Sequence, residues 1–120
     1  MSCNGMICHL ADSFDLAVGR KSVGDVSNLF TRHVMKRFAL NVPAPWPKGI
    51  ATRPEVEQGV GGTPPAAFEL DRARLLESIQ LFLKADLTDR RHPMFGVMKP
   101  SEWHRWGYLH ADHHLRQFNA

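Results

Sequence analysis

Apolar residues recur along this chain with helical rather than strand spacing. Met6, Leu10, Phe14 and Ala17 stand three or four positions apart and share one helical face, and Gly19 follows as a stop. The pattern predicts a helix over 3–18. Val26, Leu29, Phe30, Val34 and Phe38 give a weaker version over 24–40, with Asp25 or Ser27 placed to cap its start. The clearest stripe is Phe68, Leu75, Leu76, Ile79, Phe82 and Leu83, which predicts a helix over 65–85. Thr63 would cap it and Pro64 would sit in its first turn, with Glu69, Asp71, Arg74 and Glu77 mostly off the stripe. A last helix is predicted over 102–118, with Ser101 as cap and Glu102 in the first turn, where a negative charge is favourable. Strand-period alternation of useful length is absent. The expectation is an all-α chain, helix on helix.

Two connections break the pattern. The stretch 41–65 is rich in Pro and Gly, with Pro43, Pro45 and Pro47 near its start and Gly59, Gly61 and Gly62 near its end. Loops of that length are often functional or draped over an end of a fold. The stretch 86–100 reads as a second loop around Asp89-Arg90-Arg91-His92-Pro93-Met94-Phe95-Gly96. A length of 120 residues suits a single domain over 1–120.

Composition narrows the class. A hydrophobic share of 43% with 22% charged residues fits a globular core and argues against disorder. No apolar run approaches the roughly 20 residues of a membrane span. The first residues lack a basic region followed by an apolar core, so the cytoplasm is the expected compartment. Cys3 and Cys8 alone do not suggest a disulfide framework. The net charge is +3, with basic clusters at Arg32, Lys36 and Arg37 and at Arg90 and Arg91. Without a longer basic stripe interleaved with aromatics, these read as solvated faces, and a nucleic-acid partner is not expected.

Histidines change the picture. His110 and His114 lie four residues apart on the last helix and project from one face, where two imidazoles can reach one metal ion. Gly107, one turn below, would leave room beside them. His113 and His104 point elsewhere. Two helical histidines alone leave a surface or core reading open. His9, with Met6, Ser13 and Leu16 on its side of the first helix, is open to the same reading. Cys8 is adjacent to His9, so the two side chains diverge by about 100° and do not form a nucleophile–base pair. Trp103 and Trp106 have the spacing of packing residues, although with Trp46 they could also line a pocket.

The motifs resemble those of a known superfamily. His9-Leu10-Ala11-Asp12-Ser13 resembles the H-x-x-D-S segment of DinB-like proteins, and Glu102-Trp103 with His110-x-x-His113-His114-Leu115-Arg116-Gln117-Phe118 resembles their closing segment. His92-Pro93-Met94-Phe95-Gly96 and Pro45-Trp46-Pro47-Lys48-Gly49 resemble one DinB-related domain family of unknown function. The resemblance runs from about Gly5 to Phe118. It implies a DinB-like four-helix bundle with a divalent metal, typically zinc or nickel, held by His9, His110 and His114. DinB-like chains usually carry a further helix before the first motif. Here only eight residues precede His9, so the first helix is lacking or substituted by the segment 24–40, or the recorded start lies inside a longer product. A bundle open on one side would expose apolar surface and invite a homodimer.

The implied ligand set has a chemical consequence. Three neutral imidazoles leave the ion's charge uncompensated and a coordination position open, the pattern of a catalytic rather than a structural site. Water there has its pKa lowered from about 15.7 toward about 7, and a thiol is deprotonated. The resemblance implies a metal-dependent enzyme of S-transferase or hydrolase type acting on a small molecule, with a low-molecular-weight thiol as a partner. The alternative is a non-catalytic, metal-stabilised binding or dimerisation module. Asp12 is a candidate to fix a ligand imidazole's tautomer, or else a surface carboxylate. Arg116 and Gln117 could contact a polar substrate, though Arg116 also reads as solvent-facing or paired with a carboxylate.

Overall fold

The computed structural model describes residues 1–43, 46 and 53–120. Pro45, Pro47, Lys48 and Gly49 of the second loop motif lie outside the described residues. The chain is mostly helical and divides into two compact units. One is built from 1–23 and 51–85, the other from 24–50 and 86–120.

In the first unit, α1 (Cys3–Ala17) packs against α3 (Phe68–Lys84), with a 3-10 turn at Pro54–Val56 between them in sequence. The Ser2 hydroxyl caps α1 by accepting from the Gly5 N–H at 3.0 Å. Every residue from Gly5 to Ala17 is buried, so α1 is enclosed around its whole circumference rather than along one stripe. Phe14 meets Phe82 with ring centroids 5.0 Å apart.

The polar residues of this helix pair are satisfied by one another. Arg74 Nη2 donates to Asp12 at 2.6 Å and to Asp15 at 2.9 Å. Ser78 donates to Asp15 at 2.8 Å, and Thr63 gives both its backbone N–H and its hydroxyl to Asp12, each at 2.7 Å. α3 buries Asp71, Ser78 and Phe82 and half-buries Arg74, Leu75 and Ile79, whereas Phe68, Leu76 and Leu83 of the predicted stripe are exposed. Thr63 is bonded to Asp12 instead of capping α3, whose start is tied by Ala66 N–H donating to Asp71 at 3.0 Å.

In the second unit, α2 (Lys36–Asn41) is preceded by a turn of wider π-helical winding at Thr31–Met35 and packs against α4 (Pro100–Arg116). The segment enters its helical winding later than the stripe predicted. Asn28 and Thr31 cap the start reciprocally: Thr31 N–H donates to Asn28 Oδ1 at 2.9 Å, and Asn28 N–H donates to Thr31 Oγ1 at 2.8 Å. Asp25 instead accepts from Ser27 N–H, one turn too early to cap. Asn28→Ala is expected to lower stability by about 1 kcal/mol, read as a shift of the urea midpoint at unchanged slope. The last helix opens at Pro100, and Glu102 reaches back to accept from the Lys99 N–H at 2.9 Å, so Ser101 lies inside the first turn and is not the cap.

The all-α expectation is corrected at one place. Residues 91–97 form an antiparallel hairpin, β1 (Arg91–His92) paired with β2 (Gly96–Val97). Gly96 has φ +68, and a Cβ there would stand 3.1 Å from the Arg32 side chain, so both conformation and space call for glycine. His92 holds the turn: its Nδ1 accepts from the Met94 and Phe95 N–H groups at 3.1 and 3.2 Å. Its ring stacks on Phe95 at 4.5 Å and meets Trp103 and Trp106 at 5.6 and 5.5 Å. Burial pushes the His92 pKa down to about 3, so this imidazole is a neutral core residue. Trp103 and Trp106, both buried, belong to the same packing cluster.

Candidate metal centre

His9 is carried by the middle of α1, where burial leaves its ring little freedom. Its Nδ1 stands 2.8 Å from the Val56 carbonyl oxygen. A carbonyl only accepts, so Nδ1 carries the proton and Nε2 the lone pair. This is the arrangement of a ligating histidine, whose second ring nitrogen is anchored on an acceptor. The acceptor is presented by the 3-10 turn, which is itself folded tightly on Gly61: Gly61 N–H donates to Pro54 O at 2.8 Å, and a Cβ on Gly61 would lie 2.6 Å from that oxygen.

Asp12 does not serve His9 in this way and is not a surface carboxylate either. It is fully buried among Thr63, Arg74 and Lys21. Burial alone would push its pKa up. The Thr63 and Arg74 hydrogen bonds and the Lys21 charge outweigh that and hold it below the usual carboxylate range.

His110 and His114 face one another on α4, their Nε2 atoms 3.1 Å apart. Two nitrogens on one tetrahedral ion with bonds of about 2.0–2.1 Å stand about 3.3 Å apart, so the pair is already spaced as ligands. His114 Nδ1 lies 3.1 Å from Gln117 Oε1. With Gln117 Oε1 as the acceptor of an Nδ1–H, His114 Nε2 would bear a lone pair and the short contact would be completed by a proton on His110 Nε2. Trp46 and Trp106 flank the His110 ring at 5.9 and 5.1 Å. Gly107, one turn before, is buried.

His9 is carried by the first unit, where it is buried, and His110 and His114 by the second, where they are half-buried. The remaining sequence candidates lie elsewhere or act otherwise. His104 is exposed. Arg116 pairs with Asp112 at 2.8 Å on the exposed side of α4. Burial and the neighbouring Asp71 push the Cys8 thiol up, which keeps it protonated and unsuited to nucleophilic work. His113 turns its ring edge-on to His114 at 5.1 Å and meets Gln117 Nε2 at 3.5 Å. The Val56 carbonyl was beyond sequence reasoning, because a backbone acceptor leaves no residue signature. Gln117 had one: its spacing of three from His114 puts the two side chains in reach.

Among the described residues, no helix is long and apolar enough to cross a membrane. No curated protein and no solved structure matches the chain. A family model described as "Protein of unknown function (DUF1569)" matches residues 5–120, and the chain therefore belongs to the DUF1569 family.

Proposed function

We propose that this protein is a metal-dependent enzyme of DinB-like type, with one divalent ion bound by His9, His110 and His114, acting on a small molecule. The observation that carries the reading is what the Nδ1 atoms face: Val56 O lies beside that of His9 and Gln117 Oε1 beside that of His114, acceptors that favour Nδ1–H and leave Nε2 as the metal-binding atom. The donor set fits zinc or nickel, since neutral imidazole suits both. When bound, such an ion supplies Lewis acidity that lowers the pKa of water or of a low-molecular-weight thiol, the chemistry of a hydrolase or a thiol S-transferase.

The residues have separate duties. His110 would present Nε2 to the ion with its ring proton on Nδ1, a change of tautomer within the neutral imidazole. Trp46 and Trp106 put aromatic rings beside the half-buried His110 ring. The resemblance of the His9 and His110–Phe118 segments to DinB-like motifs supports the same assignment.

The test is turnover. Protein stripped with a chelator and reloaded with zinc or nickel is assayed on an activated ester, and on an electrophile with a low-molecular-weight thiol. The reading predicts turnover that depends on the added metal and is lost in His110→Ala. A metal-loaded protein inert toward both substrates contradicts it.

A second reading has one observation in its favour. Leu29, Phe30, Val34 and Phe38 leave apolar side chains exposed in the second unit, as do Phe68, Leu76 and Leu83 in the first. A metal-stabilised binding or dimerisation module would use such surface. A monomer in sedimentation at high concentration contradicts the dimeric version.

A further inference from the structure

Gln117 follows the last residue of α4 and is exposed, yet its amide touches two histidines at once. Oε1 lies 3.1 Å from His114 Nδ1, and Nε2 lies 3.5 Å from His113 Nε2. The amide oxygen only accepts, and the amide nitrogen only donates. With the amide in this orientation the contacts call for a proton on His114 Nδ1 and a lone pair on His113 Nε2. Turning the amide over reverses both requirements. Its NH₂ would then face His114 Nδ1, demand a lone pair there and drive the proton to Nε2. That is the atom 3.1 Å from His110 Nε2.

A neutral imidazole carries one ring proton, so the orientation of this amide decides what His114 presents toward His110. We propose that Gln117 is a positioning residue which, with its amide oriented by His113, holds His114 in the Nδ1–H form whose Nε2 takes the metal. Helical geometry makes this a local device: Gln117 is three residues from His114 and four from His113, the two separations at which side chains on a helix meet. His113 is steadied in turn by Trp46, whose ring lies 6.0 Å away and whose indole N–H donates to Ala39 O at 2.8 Å. The inference rests on the three-histidine metal reading for its purpose, but it makes a claim about the metal-free protein that stands alone.

The experiment has two readouts. The first is the ring-nitrogen NMR spectrum of the metal-free protein, with His114 assigned. Wild type and Gln117→Glu are expected to show the Nδ1–H form at His114, whereas Gln117→Leu shifts it toward Nε2–H. The second is zinc affinity by competition with a chromophoric chelator. Gln117→Leu is expected to bind about 10–100-fold more weakly, and Gln117→Glu, which keeps the acceptor, at least as tightly as wild type. His113→Phe, which removes the amide's other partner, is expected to fall between wild type and Gln117→Leu. Wild-type affinity in that variant overturns the role given to His113. An unchanged His114 tautomer and unchanged zinc affinity in Gln117→Leu overturn the proposal. Wild-type protein that takes up no zinc overturns the metal reading instead, and the spectrum then still decides the role of Gln117.

Discussion

Replacing Arg74 by Met is expected to destabilise the protein by about 3 kcal/mol, at the low end of the cost of breaking a buried ion pair. The substitution keeps the apolar stem and removes the charge that stands between Asp12 and Asp15. Asp12 is fully buried, and Asp15 is nearly so, so both carboxylates would stay out of water without their shared cation. Two features hold the figure down. Lys21 and Thr63 still support Asp12, and Arg74 Nη1 is buried with no hydrogen-bond partner, a cost that the substitution relieves. Chemical denaturation of the two proteins measures the difference.

The same network sets a pH dependence. The Asp12 carboxyl is held below its ordinary value in the folded state, so the unfolded state binds the proton first as the pH falls. Its stabilisation is present above about pH 4 and is lost as the pH drops from there through the lower folded value. Arg74→Met is expected to flatten this acid limb as well as lower the plateau. A variant with a lowered plateau and an unchanged acid limb would show that Arg74 is not what holds the carboxylate ionised.

The second large effect concerns the metal. On the proposed ligand set, His9→Phe is expected to weaken zinc binding by more than the roughly 10–100-fold that losing a supporting hydrogen bond costs, because a proposed ligand is removed. Phe fills most of the space of the buried imidazole, so the change is not a cavity mutation. Its stability cost is that of leaving Val56 O without its donor, about 1–3 kcal/mol. The two losses separate in a melting experiment. At zinc a hundredfold above the dissociation constant, wild type gains about 2.7 kcal/mol, and His9→Phe is expected to gain almost nothing. An equal gain in both proteins would remove His9 from the ligand set.

Local signals in the sequence were read well where a residue's partners lie on its own element. The first helix, predicted over 3–18, runs Cys3–Ala17, and the spacing of His110 and His114 places their Nε2 atoms 3.1 Å apart. The reading failed where a distant partner changes what a residue wants. Arg74 lies off the apolar stripe, yet Asp12 and Asp15, some sixty residues away, take it and Ser78 into the helix interface. Leu76 and Leu83 then face outward against the predicted stripe, although Phe82 of the same stripe is buried. Asn28 and Thr31 were legible in principle, since a reciprocal cap has a fixed three-residue spacing. His92 marks the opposite case: two neighbouring backbone N–H groups bond its Nδ1, and the sequence shows only a histidine before a proline.

The most direct measurement is X-ray absorption spectroscopy of the protein loaded with one equivalent of zinc. The account predicts three imidazole nitrogens at about 2.0–2.1 Å with a light-atom donor completing the shell, and a signal reduced to two imidazoles in His110→Ala. A shell built from sulfur or carboxylate donors, or from fewer than three imidazoles in the unaltered protein, would contradict it.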